Sequence, residues 1–190
     1  TATPTRNDDS ELSYDKILYS ITMRELIRKN VIIEPKIHSI PTGETFEVTD
    51  LESHFDRFNT TSRNNALSEK IIKSYSRYKK AIIYVRTVKH AKDLTSALKD
   101  ENNFNNNVYE HIGFITGDGN SDKIDNNDYL KRNKNYKTSI MVNCGVLTEG
   151  FDDPTINTVI MAVPTTSIIY YMQCIGRALR TPEESKETGD

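Results

Sequence analysis

Cysteine is scarce: the 190 residues hold two, Cys144 and Cys174, each inside an apolar run and neither at a metal-ligand spacing. That excludes the dense disulfide framework of small secreted domains and leaves two reduced core thiols as the plain reading. Long apolar runs are missing as well; none approaches the roughly 18 residues that cross a bilayer, and no basic start leads into an apolar stretch as in a signal peptide. A soluble, intracellular chain with no membrane partner is expected. Neither charge is in excess, since 25 basic residues against 27 acidic ones give −2. This excludes a strongly basic nucleic-acid coat or an acidic tail, while a local basic face is still allowed. An internal repeat and a GxxxxGK[ST] phosphate loop are also absent, so by itself the chain lacks the standard grip on a triphosphate.

What is present suits one globular core with an arm. The length exceeds a typical domain of roughly 100–150 residues only modestly. The chain begins with Thr1, not Met, and is read as a piece of a longer protein. Thr22 and Glu25 form a capping box ahead of Met23, Leu26 and Ile27, predicting a helix that ends near Asn30 inside an otherwise polar arm. Residues 36–61 are ambiguous: Ile37 and Ile40 fit a short strand and Pro41-Thr42-Gly43 a turn, followed by an acidic, solvated stretch.

From Ser62 the pattern becomes regular. Leu67, Ile71, Tyr75 and Tyr78 recur at helical spacing and lead into the apolar run Ala81 to Val85. Val88, Ala91, Leu94 and Leu98 make a second helical stripe, with Thr87 placed to cap it. An Asn-rich loop follows, then an apolar run at 112–115, a weaker helix over 121–134, strands at 139–143 and 158–163, and a last helix from Ser167 to Arg180. Short apolar runs alternating with amphipathic helices predict an α/β fold with a mostly parallel sheet covered on both faces. Ligands of such sheets sit beyond the carboxyl ends of the strands. The basic residues between Arg63 and Lys80 are read chiefly as the wet face of a helix, and as a strand contact by sign. The four histidines are scattered without metal spacing, so no metal ligand is assigned.

Two stretches carry chemistry. Gln173-Cys174-Ile175-Gly176-Arg177-Ala178-Leu179-Arg180 puts three long polar side chains at spacings of four and three on the expected last helix. Guanidinium groups suit charge that builds up on a transferring phosphoryl group. Spacing alone favours a solvated basic face at a helix C-terminus. Thr148-Glu149-Gly150-Phe151-Asp152-Asp153-Pro154 follows the 139–143 strand. There Gly150 permits close backbone approach, Thr148 could hold a phosphate, and Asp152 could accept from a ribose hydroxyl or pair with an arginine. An ordinary acidic turn has the same composition.

Gln173-x-x-Gly176-Arg177-x-x-Arg180 resembles motif VI of superfamily 2 helicases and translocases, and Val146 to Asp152 resembles their motif V. Ala81 to Thr87 with its following helix is similar to motif IV, and Thr1-Ala2-Thr3-Pro4 to motif III. The wording of motif VI is closer to restriction-enzyme motor subunits and duplex-DNA translocases than to DEAD-box RNA helicases. The resemblance implies a RecA-like three-layer fold. Residues 1–35 would then be the tail of a first motor domain plus connector, and residues 36–190 the second RecA-like domain. It further implies ATP with Mg held mainly by the absent first domain, with Arg177, Arg180 and Gln173 as catalytic residues and Gly150, Asp152 and Gly176 at the nucleotide. Arg86, Thr87 and Thr148 would contact nucleic acid, DNA before RNA, and the fragment alone would be inactive. A helicase-like module that binds nucleic acid or protein without hydrolysis is the competing class.

Overall fold

A computed structural model of the protein describes residues 20–44, 54–147 and 151–180. The elements are α1 (Met23–Arg28), a 3-10 turn (Phe55–Phe58), α2 (Thr61–Lys73), β1 (Lys80–Val85), α3 (Val88–Phe104), β2 (His111–Thr116), β3 (Gly119–Asn120), α4 (Asn126–Lys134), β4 (Ser139–Cys144), β5 (Thr158–Met161) and α5 (Ile168–Ile175). The strands form one sheet in the order β3-β2-β4-β1-β5, parallel except for the antiparallel β3.

Burial explains this order. All six residues of β1 and five of six in β4 are buried, as strands covered on both faces must be. Successive side chains point to opposite faces. Ile83, Val85, Ile140, Val142 and Ile112 join Leu67, Ile71, Leu94 and Leu98 of α2 and α3 on one side. Ile82, Tyr84, Met141 and Ile115 join Tyr129 of α4 and Cys174 of α5 on the other. The four longer helices each begin at an oxygen-bearing cap: Thr60, Thr87, Asp125 and Ser167 accept from backbone amides of the first turn. Each such cap stabilises its helix by about 0.5–2 kcal/mol.

Several expectations change. The last helix stops at Ile175, so Arg177 and Arg180 lie beyond it. β5 ends at Met161 and, as an edge strand, is only half-buried apart from Ile160. The 121–134 helix starts at Asn126, because Asp125 caps it and Gly119–Asn120 pair with β2 instead. Tyr75 is exposed, since α2 has already ended at Lys73. No strand forms at Ile37 or Ile40, and Ile37 is exposed.

The Asn-rich segment is more ordered than a polar loop. α3 runs through Asn102, which is buried, accepts from the Tyr109 amide at 3.0 Å and donates to the Tyr109 carbonyl. Asn106 and Asn107 then take the left-handed backbone conformation (φ 62 and 54) that asparagine tolerates better than most residues. The basic segment also divides. Arg63 is buried and donates to the carbonyls of Phe58 and Ala162, and Lys80 is buried at the start of β1. Neither is a wet face or a strand contact. Motif III, Thr1 to Pro4, lies outside the described residues.

Candidate functional site

Arg86 and Thr87 follow the carboxyl end of β1, where parallel sheets place their ligands, whereas Asp152 adjoins Asp153, which reaches Lys80 at the start of that strand. At the end of β4 the buried Asn143 accepts from the amides of Val146 and Leu147 (3.1 and 3.0 Å), and Gly145 supplies the left-handed φ of 77° that turns the chain. Tyr84 of β1 donates to the Leu147 carbonyl at 3.1 Å. Burial holds the Tyr84 phenol above its ordinary pKa, so it stays a donor. Thr148 and Gly150 lie outside the described residues.

The chain resumes at Phe151, which is buried beside Cys174, with Asp152 exposed and Asp153 buried. Asp153 accepts from the amide and hydroxyl of Thr155, and its other oxygen sits 3.7 Å from the Lys80 ammonium. Lys80 also donates to the Lys134 carbonyl (2.9 Å) and the Thr155 hydroxyl (2.7 Å). Burial, only partly offset by Asp153, pushes the Lys80 pKa below its usual range. Asp152 is therefore fixed from both sides, through the buried Phe151 and Asp153.

After α5 the chain leaves the helix through Gly176, where an added Cβ would sit 3.1 Å from the Met172 carbonyl oxygen. Arg177 then donates to the Phe151 carbonyl, and Arg180 pairs with Asp152. Motifs V and VI are clasped together through Arg177 and Arg180, by a turn rather than by helical spacing. Gln173 is half-buried on α5, one turn before Gly176. Burial raises the pKa of both cysteines, that of Cys174 to about 11, which leaves them as protonated thiols with no nucleophilic character at neutral pH.

Arg86 follows β1, and its guanidinium carbon lies over two aromatic rings, 4.3 Å from the centroid of Tyr170 and 5.2 Å from that of Phe55. The residue is half-buried. Thr87 accepts from the His90 amide as the cap of α3, and its hydroxyl proton can still be donated. Phe55 and Tyr170 escaped sequence reading, as did the pairing of Lys80 with Asp153. Each acts through a partner too distant in the chain for a local motif to reveal.

The residues fit a phosphate-bearing cofactor in one respect. The Arg180 and Asp152 side chains are 38% and 63% exposed, so the guanidinium is held by a carboxylate at the surface and can exchange it for a phosphate oxygen. Among the described residues no group of three or more His, Cys, Asp or Glu side chains is placed to hold a metal ion, and none of the helices described is long and apolar enough to cross a membrane.

Residues 62–182 match the helicase conserved C-terminal domain. Over 95% of its length the chain is 28% identical to "Putative ATP-dependent helicase IRC3" of Saccharomyces cerevisiae, covering 26% of that protein. Over 98% it is 29% identical to "Putative mitochondrial ATP-dependent helicase irc3" of Schizosaccharomyces pombe, covering 31%. The chain thus spans about a quarter to a third of these curated relatives. Among solved structures, a fragment of a putative HsdR subunit of a type I restriction enzyme from Vibrio vulnificus matches 75% of the chain, with a TM-score of 0.54 and 21% identity over 27% of its own length. The DNA-bound Type ISP restriction-modification enzyme LlaBIII matches 84%, with a TM-score of 0.53 and 16% identity over 12% of its own length. These likenesses show the RecA-like fold expected from the sequence. With the family match covering well over half of its residues, the chain belongs to the helicase conserved C-terminal domain family.

Proposed function

We propose that this chain is the second motor domain of an ATP-dependent DNA helicase or translocase. On this reading residues 1–35 are the tail of a first motor domain and the connector, and residues 36–190 are the second domain. The observation that carries it is the convergence of Arg177 and Arg180 on the Phe151–Asp152 segment. Two planar cations are thereby held side by side on one short segment, where a phosphate held by a facing domain would meet them.

ATP with Mg, bound chiefly by the first domain, would supply the phosphoryl group whose release drives domain opening. Arg180 and Arg177 would place positive charge where negative charge accumulates, with Gln173 and Gly176 alongside. Asp152 releases Arg180 and becomes free to accept from a sugar hydroxyl. The Arg86 guanidinium, the Thr87 hydroxyl and Thr148 contact the nucleic-acid backbone, whose phosphates attract any such donor.

The test compares the full-length protein with residues 1–190 alone. The full-length protein should hydrolyse ATP faster when DNA is added, and the fragment should show no hydrolysis and bind ATP poorly. A full-length protein whose ATPase does not respond to any nucleic acid would remove the motor reading.

A further inference from the structure

Arg180 is held by chain from the other end of the molecule. α1 is capped at both ends. Thr22 and Glu25 complete the capping box at its start. At its end Asn30, in the left-handed conformation (φ 53), donates to the Ile27 carbonyl, and Val31 donates to that of Leu26. This double bond pattern closes a helix and redirects the chain in one step. The next two residues run against the segment that follows α5. The Ile33 amide donates to the Leu179 carbonyl at 2.9 Å, and Ile32 and Arg180 form an antiparallel bridge.

Val31 and Ile33 are 51% and 42% exposed and Ile32 is half-buried, so the backbone pairing carries much of the attachment. On the other side, α5 has ended five residues before Arg180, and the chain between them passes through a turn at Gly176 and Arg177. Each unrestrained backbone residue carries conformational entropy worth about 1–2 kcal/mol. A guanidinium reached through such a turn needs a second anchor to hold one position. Arg177 has its own anchor in the Phe151 carbonyl, whereas the backbone at Arg180 is anchored by Ile32 and Ile33 beside the buried Leu179 side chain.

We propose that Ile32 and Ile33 are positioning residues for Arg180, so that this arginine moves with the chain arriving from upstream while Arg177 moves with α5 and the Phe151 loop. The proposal rests on the reading above that Arg180 meets the nucleotide. It adds that the connector sets where Arg180 stands, which ties the arrangement of the two motor domains directly to one charge. Since a displacement of about 1 Å can lower turnover by 10²-fold, a single backbone hydrogen bond in the connector is enough to matter.

The experiment uses the full-length protein and DNA-stimulated ATP hydrolysis. Ile33→Pro removes one N–H donor and keeps extended backbone, whereas Ile33→Ala trims the side chain and keeps the donor. Ile33→Pro is expected to lower kcat by about 10²-fold, with KM for ATP and nucleotide-free DNA affinity within about twofold of the parent. Ile33→Ala should lose less than about threefold. In an Arg180→Ala background Ile33→Pro should cause no further loss, which a general structural defect would not reproduce. Should Ile33→Pro fail to fold, Ile33→Gly keeps the donor but frees the backbone and is expected to lower kcat about three- to tenfold. Parental rates for Ile33→Pro, or for Ile33→Gly where it replaces it, overturn the proposal, as does an equal loss in the Arg180→Ala background. If Arg180→Ala itself keeps the parental rate, the motor reading of Arg180 fails first. If Arg180→Ala collapses turnover and the Ile33 variants do not, only the positioning role fails.

Discussion

Lys80 and Asp153 meet at 3.7 Å with side chains 5% and 2% exposed, an ion pair sealed at the start of the first strand. The pair joins β1, the end of α4 and the segment that leads from Asp152 to β5.

Removing one member leaves a buried charge without its counterpart. Lys80→Met is expected to destabilise the fold by about 3–5 kcal/mol. Lys80→Met with Asp153→Leu should lose clearly less than the two single changes added together. Denaturant unfolding of the four proteins measures the difference, and strict additivity would show that the two side chains do not interact.

His90 makes stability depend on pH. It is fully buried, its Nε2 lies 3.1 Å from the Asn64 Oδ1, and burial with Arg63 nearby lowers its pKa to about 4. The Asn64 amide in turn donates to Asn59, and Asn59 to Asp93. The unfolded chain takes up this proton near pH 6.5 and the folded one only near pH 4, so the contribution is complete above pH 6.5 and is lost as pH falls toward 4. The full difference is about 3 kcal/mol. His90→Gln keeps a donor for Asn64 and does not titrate. Its unfolding free energy should therefore fall less steeply than the parent's between pH 6.5 and 4, and parallel curves would exclude His90 as the source.

Gly113 is fixed by space. A Cβ there would collide with the hydroxyl of Tyr129 and come within 2.8 Å of the Ser121 hydroxyl and 2.9 Å of the His111 ring. Ser121 is occupied as the acceptor for the Phe114 amide, and Tyr129 is buried. Gly113→Ala should destabilise by about 1–3 kcal/mol through overpacking, seen as a lower thermal midpoint, while an unchanged midpoint would mean that β2 and α4 separate easily.

Arg86 offers a test of the nucleic-acid face. Its guanidinium is seated against Phe55 and Tyr170 just after β1, and on the proposed reading it meets a strand phosphate. Arg86→Ala in the full-length protein should reduce the salt slope of DNA binding by about one without changing sequence preference. An unchanged slope would make the stack purely structural.

The parts of this molecule that were legible in the sequence are those set by local rules. Ala81 to Val85 reads as a buried parallel strand because both of its faces are covered, and Thr22, Glu25 and Thr87 read as caps because their partners lie three residues away. The motif order led to the family and the RecA-like fold. Misreadings arose where distant contacts prevail. Arg63 looks like a solvated cation until Ala162, ninety-nine residues later, accepts its guanidinium. The run through Arg180 looks helical, but the helix closes at Gly176 and Ile33 draws Leu179 into an extended pairing. That Arg177 and Arg180 meet Phe151 and Asp152 follows from this turn, which no side-chain periodicity could reveal.

The account stands on the two arginines, and Arg180 is the cleaner probe. Arg177→Ala would leave the Phe151 carbonyl without its donor, at about 1 kcal/mol, whereas the partly exposed Arg180–Asp152 pair is worth about 0–1 kcal/mol to the fold. The deciding measurement is the DNA-stimulated ATPase rate of full-length Arg180→Ala, taken with its thermal midpoint and its nucleotide-free DNA affinity. The account predicts a rate lowered by about 10³-fold or more, little recovery with Arg180→Lys because an ammonium lacks the planar fork, and the other two quantities nearly unchanged. A parental ATPase rate would contradict it outright, and a rate that fell only together with the thermal midpoint would assign Arg180 to the fold instead of to the reaction.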